Sequence, residues 1–480
     1  SKAPFFECSD ADITDTFYFR ISNYKLHITP TPMGFVVTEF LPEVPWSGKY
    51  NTIPAAAGHH IMEGSWWVNQ TWVDDYSRFW FLPGGGSPRS YTFWAATAIW
   101  RRVQVTGNLG LALDLLPQLQ ANVAGWRESH FNTQYGLFYQ TDGADAEEDS
   151  ISGSGLRPSI NSVMYSEFRA LSEMCAAAGN SSCAAQWDAN ATSLQAAALT
   201  HLWNNDTGFF STFKADADTD AAAETACPPP WPANQVVSVR QLLGLSCPWM
   251  FGLVPPASYK AYAPAWSQLN DPMGFGATWG PTTAERRSPC YNYSVHHECL
   301  WNAPSWPYET SRVGYGLTQL LNNYPPQPFA NRTTFFNLIK TYSFAHLYSM
   351  AINGTHPWIG EDLHPDLGYW IARSVLYSWN NTLRNRGKNY NHSVFLDLIL
   401  TGLVGIRPSA NQTLTVNPLL DPSSLSYFCA DGVPYHGHML TVFWDVTGGR
   451  YGKGSGLHVW VDGAPFLHSP SLQTLQGVLP

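Results

Sequence analysis

Residues 160–202 read INSVMYSEFRALSEMCAAAGNSSCAAQWDANATSLQAAALTHL. In the first half Ile160, Val163, Met164, Phe168, Leu171, Met174 and Cys175 recur at steps of three and four, which gathers them on one face of an α-helix. Gly179-Asn180 then interrupts the pattern, and Trp187, Ala191, Leu194, Ala198 and Leu202 resume it. The spacing predicts helices over Ile160–Ala178 and Ala184–Leu202, joined by a turn too short for anything but an antiparallel pair.

The same periodicity extends on both sides of this pair. Tyr91–Val105, Leu111–Phe131, Gln235–Leu245, Trp306–Asn323, Thr334–Met350 and Val394–Val404 all carry apolar residues at helical spacing, with Gly-, Pro- and Asn-rich segments between them. Helices arriving in sequential pairs over roughly 320 residues fit a closed double ring of six hairpins, and a superhelix of helix pairs gives the same periodicity. Outside this region the chain is expected to turn to strands: Phe17–Ile21, Leu26–Ile28 and Phe35–Phe40 ahead of it, and Leu414–Val416, Met439–Trp444 and Leu457–Val461 behind it. The expectation is a mainly α fold with a small β-rich layer supplied by both ends. Residues 1–90 would form strands and aromatic loops, 91–410 the helical ring, and 411–480 the C-terminal β segment. No hydrophilic linker separates them, so they are expected to pack as one body.

Composition narrows the function. Of 480 residues only 13% are charged, about half the ~25% usual in soluble proteins, while 14% are aromatic, with 21 tryptophans. The net charge is −10 without a basic run, which argues against nucleic acid as a partner. No apolar stretch reaches the ~20 residues a bilayer span needs, so no membrane partner is expected. The chain opens on polar residues at Ser1, as a mature or trimmed secreted chain does.

Eight cysteines without a CxxC spacing point to disulfides rather than metal. Cys175/Cys183, Cys227/Cys247 and Cys290/Cys299 lie close in sequence, and Cys8 and Cys429 remain to tie the two ends together. Sequons open at Asn69, Asn180, Asn190, Asn205, Asn292, Asn331, Asn353, Asn380 and Asn411, with a further one at Asn391 inside a stretch read below as functional. Together these favour a secreted, N-glycosylated eukaryotic protein of fungal type, monomeric.

The chemistry is sought by exclusion. No GxSxG elbow, HExxH, phosphate loop or GxGxxG turn occurs, so no cofactor is called for. His59-His60 and His296-His297 are adjacent pairs, whose side chains diverge, so no metal is expected there. Carboxylates concentrate in two loops: Asp142-Gly143-Ala144-Asp145-Ala146-Glu147-Glu148-Asp149-Ser150-Ile151, and Trp358-Ile359-Gly360-Glu361-Asp362-Leu363-His364-Pro365-Asp366-Leu367-Gly368. Two carboxyl groups facing a sugar suit glycoside hydrolysis, which needs one protonated acid on the glycosidic oxygen and one ionised base on water.

These loops, with Trp301-Asn302-Ala303-Pro304-Ser305-Trp306-Pro307, make the chain resemble the six-hairpin (α/α)6-barrel glycoside hydrolases, in particular the mannosylglycerate-hydrolase-like branch related to processing α-glucosidases and trehalases. The resemblance runs from about Tyr91 to Pro408. Ala303 stands where the family's W-x-G-P-x-W-P-like segment carries Gly. The family's acid lies in an S-G-x-D-x-S-P-like loop, which implies Glu148 as the acid here, ahead of Asp149 and then Asp145, with Ser150-Ile151 replacing Ser-Pro. Its base lies in an E-x-Y-x-P-x-T-G-like loop, which implies Glu361 ahead of Asp366. The family inverts the anomeric centre, so the two carboxyl groups are expected ~6.5–9.5 Å apart.

Further candidates for the sugar site are Arg157, Glu285, Arg286 and His392, with Trp301 and Trp306 as stacking platforms. Trp46, Trp66, Trp67, Trp80, His59 and His60 are candidates for its rim. The reading is thus an inverting, exo-acting glycosidase whose partner is a plant or microbial oligo- or polysaccharide. The rivals are a glycan-binding protein without turnover, and a polysaccharide lyase, which also uses helical toroids but wants a basic groove.

Overall fold

The computed structural model describes residues 3–216, 231–292, 299–350, 357–378, 387 and 389–480. Thirteen α-helices are named among them. They are α1 (Ala11–His27), α2 (Pro54–Gly64), α3 (Thr71–Phe79), α4 (Ala95–Thr106), α5 (Gly110–His130), α6 (Pro158–Ala177), α7 (Ser181–His201), α8 (Leu243–Met250), α9 (Tyr259–Tyr262), α10 (Pro307–Asn323), α11 (Arg332–Tyr348), α12 (Ile371–Ser378) and α13 (Phe395–Leu398). The last runs on into a π-helical turn at Ile399–Leu403.

Local signals set many of the starts. Proline stands in the first turn of α2, α6 and α10, where its missing N–H costs nothing. Asn180 caps α7, accepting from Cys183 N at 3.1 Å, and Asn331 forms a capping box with Thr334 on α11. Two further starts are capped from neighbouring helices. Glu167 on α6 accepts from Ala96 N and Thr97 N of α4 at 3.0 and 2.8 Å, and Glu63 on α2 accepts from Leu396 N of α13 at 2.8 Å. These buried carboxylates fix helix against helix as well as satisfying orphan donors.

The packing order is cyclic. α2 packs on α4, α4 on α6, α6 on α8, α8 on α10, α10 on α13, and α13 on α2. Around them α3 lies against α2, α5 against α4 and α6, α7 against α6, and α11 against α10 and α1. The protein is therefore mainly α, with a sheet layer. A five-stranded antiparallel sheet has the order Phe5–Cys8, Tyr427–Tyr435, His438–Asp445, Gly456–Val461, Ala464–Ser469, and its second strand touches α4. Three shorter strands, Ile406–Arg407, Thr413–Val416 and Leu475–Val478, make a second sheet. One continuous apolar core runs through the helices and the large sheet. No helix among the described residues is long and apolar enough to cross a membrane.

Several expectations change. The N-terminal part is largely helical: Phe17–Ile21, read as a strand, lies inside α1. Its aromatic and β-branched residues favour strands locally, but Asp10 caps the segment by accepting from Ile13 N, and Ile13, Phe17, Ile21 and Tyr24 fall on one buried face. Only Phe5–Cys8 joins the C-terminal sheet, and Gly34–Val37 pairs with Ile28–Thr31 as a hairpin. Within Gln235–Leu245 the helix starts late, at Leu243, after a short strand at Gln235–Val236.

The disulfide map also changes. Cys175 and Cys183 are bonded, holding the α6–α7 turn as expected. Cys8 and Cys429 are not bonded. In the paired strands Glu7 stands opposite Cys429 and Cys8 opposite Phe428, so the two thiols point to opposite faces of the sheet. Cys247 is a buried thiol inside α8, with Arg312 Nη1 3.9 Å from its sulfur, so the pair Cys227/Cys247 does not form. Cys290 is disulfide-bonded, but not to Cys299, which keeps its thiol. Cys227 lies outside the described residues.

Candidate functional site

The acidic loop ahead of α6 is wound tightly enough to send successive carboxylates in different directions. Asp142 accepts from Gly143 N at 3.0 Å and opens a 3₁₀ turn, and Ala146 and Asp149 take left-handed backbone angles of φ 58° and 59°. Asp145 and Glu147 point inward onto Arg157, whose Nε and Nη2 hold them at 2.7 and 2.9 Å, with all three side chains sealed from solvent. Burial opposes the charge on Arg157, yet Asp145, Glu147 and Asp142 outweigh it and hold its pKa above the ordinary value. Glu147 itself is pushed up, by burial first, and it also faces Arg312 of α10 at 3.7 Å. Between the inward Glu147 and the exposed Asp149, Glu148 is half-buried, and the Cys299 thiol lies 3.3 Å from its Oε2.

The Trp301 loop is fastened to this one. Trp301 N donates to Glu148 O at 3.1 Å. Gln241 bridges both loops, accepting from Ile151 N at 3.2 Å and donating to Trp301 O at 2.7 Å. Trp301 and Trp306 stack on one another, with centroids 4.0 Å apart and an angle of 11°. Each is only 2% exposed, so they form a wall rather than open platforms for a sugar ring.

The Glu361 loop is fastened in turn to the Trp301 loop. Ser305 and Leu363 exchange backbone hydrogen bonds at 2.9 and 2.8 Å. Asp362 is wholly buried and caps α12, accepting from Ala372 N at 2.8 Å. His364 accepts at Nδ1 from Asp366 N and Leu367 N, which shapes the turn. Asp366 is exposed and pairs with Arg286. Glu361 is 7% exposed.

Tyr308 and Tyr390 pack against the stacked Trp301 and Trp306, and His392 lies against both tyrosines. The Tyr390 hydroxyl is held well above its usual range by burial and then by the charges of Glu361, Tyr308, Cys299 and Glu39. Tyr91 is pushed up to about 12 by burial and then by Glu148, Glu39 and Cys299. The two tyrosines thus sense Glu361 and Glu148 respectively, and both sense Cys299 and Glu39. His392 lies against Tyr390, with ring centroids 4.2 Å apart, and its Nε2 is 3.9 Å from Glu39. Burial keeps His392 well below its ordinary pKa and so neutral, helped by His60 and His59.

His60 lies next to His392, with ring centroids 6.1 Å apart. His59 is wholly buried between Trp94 and Tyr308, and His60 is tied to Asn391 O at 3.2 Å. Trp67 stacks on Tyr24 in the main core, Trp66 donates to Asp397 at 2.7 Å, and Trp80 is buried among Tyr76, Phe79 and Phe93. Of that group Trp46 alone is exposed, at 43%, beside Phe40. Glu285 pairs with Arg240, ahead of α8, and with Arg287 in its own loop, which ties the two segments together. Asn391 is buried, with its Oδ1 accepting from Arg20 and Asn23, while Asn180, Asn205, Asn292, Asn331 and Asn411 are exposed and Asn69 and Asn190 are half-buried. Asn353 and Asn380 lie outside the described residues.

Sequence reading missed Glu39. It is buried, bonded to Ser47, and its backbone N donates to Asn51 O at 2.7 Å. A lone glutamate in Val36-Val37-Thr38-Glu39-Phe40 carries no motif. Its only signal was being the one charge in an apolar run.

The model of the mannosylglycerate hydrolase MGH1-like glycoside hydrolase domain matches residues 49–393. The chain belongs to this family. Among solved structures, this MGH1-like chain is similar to a sialidase, with a TM-score of 0.88 and 32% identity over 99% of the chain, which spans 41% of that protein's length. It is similar in fold to a GH78 family rhamnosidase of a Bacillus species, with a TM-score of 0.59, 13% identity, 93% of this chain and 40% of that one. It also shares the fold of a GH63 mannosylglycerate hydrolase from Thermus thermophilus solved with glucose, with a TM-score of 0.54, 12% identity, 80% of this chain and 99% of that one. The chain thus spans about two-fifths of the length of the first two. No curated protein matches the sequence. The family match is to a glycoside hydrolase domain.

Proposed function

We propose that the MGH1-like domain hydrolyses a glycosidic bond with inversion, acting from the end of an oligosaccharide, and that its six inner helices close as an (α/α)6 barrel around the substrate mouth. The observation that carries this reading is the fastening of the Glu148 loop to the Trp301 loop and of that loop to the Glu361 loop, beside the stacked Trp301 and Trp306. Glu148 gives its proton to the glycosidic oxygen as the bond to the anomeric carbon breaks. Glu361 takes a proton from the water that attacks that carbon from the opposite side. Glu148 and Glu361 are chosen by the resemblance of their loops to the family's; Asp145 is held by Arg157 and Ser159, and Asp366 by Arg286. Exposed sequons and the Cys175–Cys183 bond support a secreted, monomeric glycoprotein.

The experiment is a panel of α- and β-linked oligosaccharides, including mannosides and rhamnosides, read by NMR of the anomeric proton first formed. Appearance of the inverted anomer supports the reading, and appearance of the retained anomer refutes the water-activating role of Glu361.

A further inference from the structure

A cavity of about 680 Å³ is lined by α4 from its first turn to Gln104, the C-terminal halves of α6 and α10, the end of α8, Met62 of α2, Thr401 and the segment from Arg407 to Asn411. Its size is that of a small-ligand site. Arg101 of α4 and Arg407 both line it. Arg101 sits over the Tyr315 ring, 5.4 Å from its centroid, and among the described residues it makes no hydrogen bond or ion pair; its Nε is buried without an acceptor. Were Arg101 a cap for helix carbonyls, its N–H groups would be donated to them, and none is. Arg407 gives one N–H to Asn323 Oδ1, at 2.6 Å.

Other charges nearby do not use up this pair. Arg169 is matched by Asp188 on α7. Asp397 is buried close by, but its oxygens accept from Trp66 Nε1 at 2.7 Å and Thr401 Oγ1 at 3.3 Å. Burial, and then the charge of Arg101, hold the Arg407 pKa below its ordinary value, so the two guanidinium groups sense one another in a partly desolvated space. Glu173 lies exposed on the rim. Two cations against one buried carboxylate leave room for a single negative charge. Gln104, Gln319 and Asn322 line the same space and offer amides to hydroxyl groups.

We propose that this cavity binds a monoanionic sugar, a hexuronate, with its carboxylate on Arg101 and Arg407 and its hydroxyls on the flanking amides. Guanidinium groups suit carboxylates because the fork of N–H donors matches the two oxygens. No residue of the two carboxylate loops lines this cavity, and the proposal does not rest on the hydrolytic reading.

Titration calorimetry with D-glucuronate, glucose and glucose 6-phosphate tests it on the whole chain. The expected result is saturable glucuronate binding, weaker for both other sugars. Arg101→Gln and Arg407→Gln should each weaken it by at least about tenfold, which is the ~1.4 kcal/mol of one lost charged contact. Both variants should melt as wild type does and keep any hydrolytic activity. Absence of saturable glucuronate binding to the wild type overturns the proposal. So does binding that both variants leave intact, or tighter binding of the dianionic phosphate.

Discussion

Nη2 of Arg157 holds Oε2 of Glu147 at 2.9 Å, with 0% and 1% of the two side chains exposed. The same guanidinium holds Asp145 from Nε, so one arginine at the start of α6 anchors both inward carboxylates of the acidic loop. Breaking a buried pair strands the opposite charges without solvent. Arg157→Met should therefore cost about 3–5 kcal/mol of stability by denaturant unfolding. A loss below about 1 kcal/mol would show that the loop rearranges and readmits water.

Gln241 joins two loops through a single side chain, and its removal leaves Ile151 N and Trp301 O inside the protein without their partner. Gln241→Ala should cost about 1–3 kcal/mol in stability. It should also lower kcat more than it raises KM, because it loosens the placement of Glu148 rather than a sugar contact. Gln241→Glu keeps the acceptor for Ile151 N and loses the donor to Trp301 O, so it should fall between wild type and the alanine variant.

Gly368 ends the Glu361 loop with φ +73°, and a Cβ there would come within 2.3 Å of the Trp279 ring. Both the angle and the space exclude a side chain. Gly368→Ala is expected to lower the melting temperature by several degrees and to reduce turnover of any substrate found. Unchanged stability would mean that Trp279 swings aside at little cost.

Glu167 is buried beneath the start of α4 and its pKa is raised to about 7, burial being the largest cause. The unfolded chain has an ordinary value near 4.5. Between these two values the native state keeps a proton that the unfolded state has released, so stability falls as pH rises through that window. Glu167→Gln mimics the protonated acid and removes this dependence. Relative to wild type, the variant should gain up to about 3 kcal/mol between pH 4.5 and pH 8, at ~1.36 kcal/mol per pH unit. A difference that does not change with pH would place the proton elsewhere.

Much of the helical scaffold was legible in the sequence. The α6–α7 hairpin carried its apolar face, its Gly179-Asn180 break and its cysteine pair in plain view. α1 was not legible, because Phe17, Tyr18, Phe19 and Ile21 have strand-forming side chains and only the Asp10 cap and the four-residue spacing argue for a helix. Cysteine pairing failed for a different reason: neither closeness in sequence nor being the last two left says on which face a thiol lies, and Cys8 and Cys429, paired as the remainder, lie on opposite faces of the sheet. At the site, the two acidic loops were recognisable by composition and resemblance. Glu39 and Gln241 were not, since their importance lies in contacts with residues far along the chain.

The central claim concerns Glu148 and Glu361, and kinetics of their glutamine variants on a substrate from the NMR panel tests it most directly. Glutamine keeps the size of each side chain and removes its proton chemistry. Each variant should fold as wild type does and lose about 3–6 kcal/mol of transition-state stabilisation, a fall in kcat/KM of roughly two to four powers of ten. Turnover near the wild-type rate in Glu148→Gln or Glu361→Gln would contradict the role given to that residue.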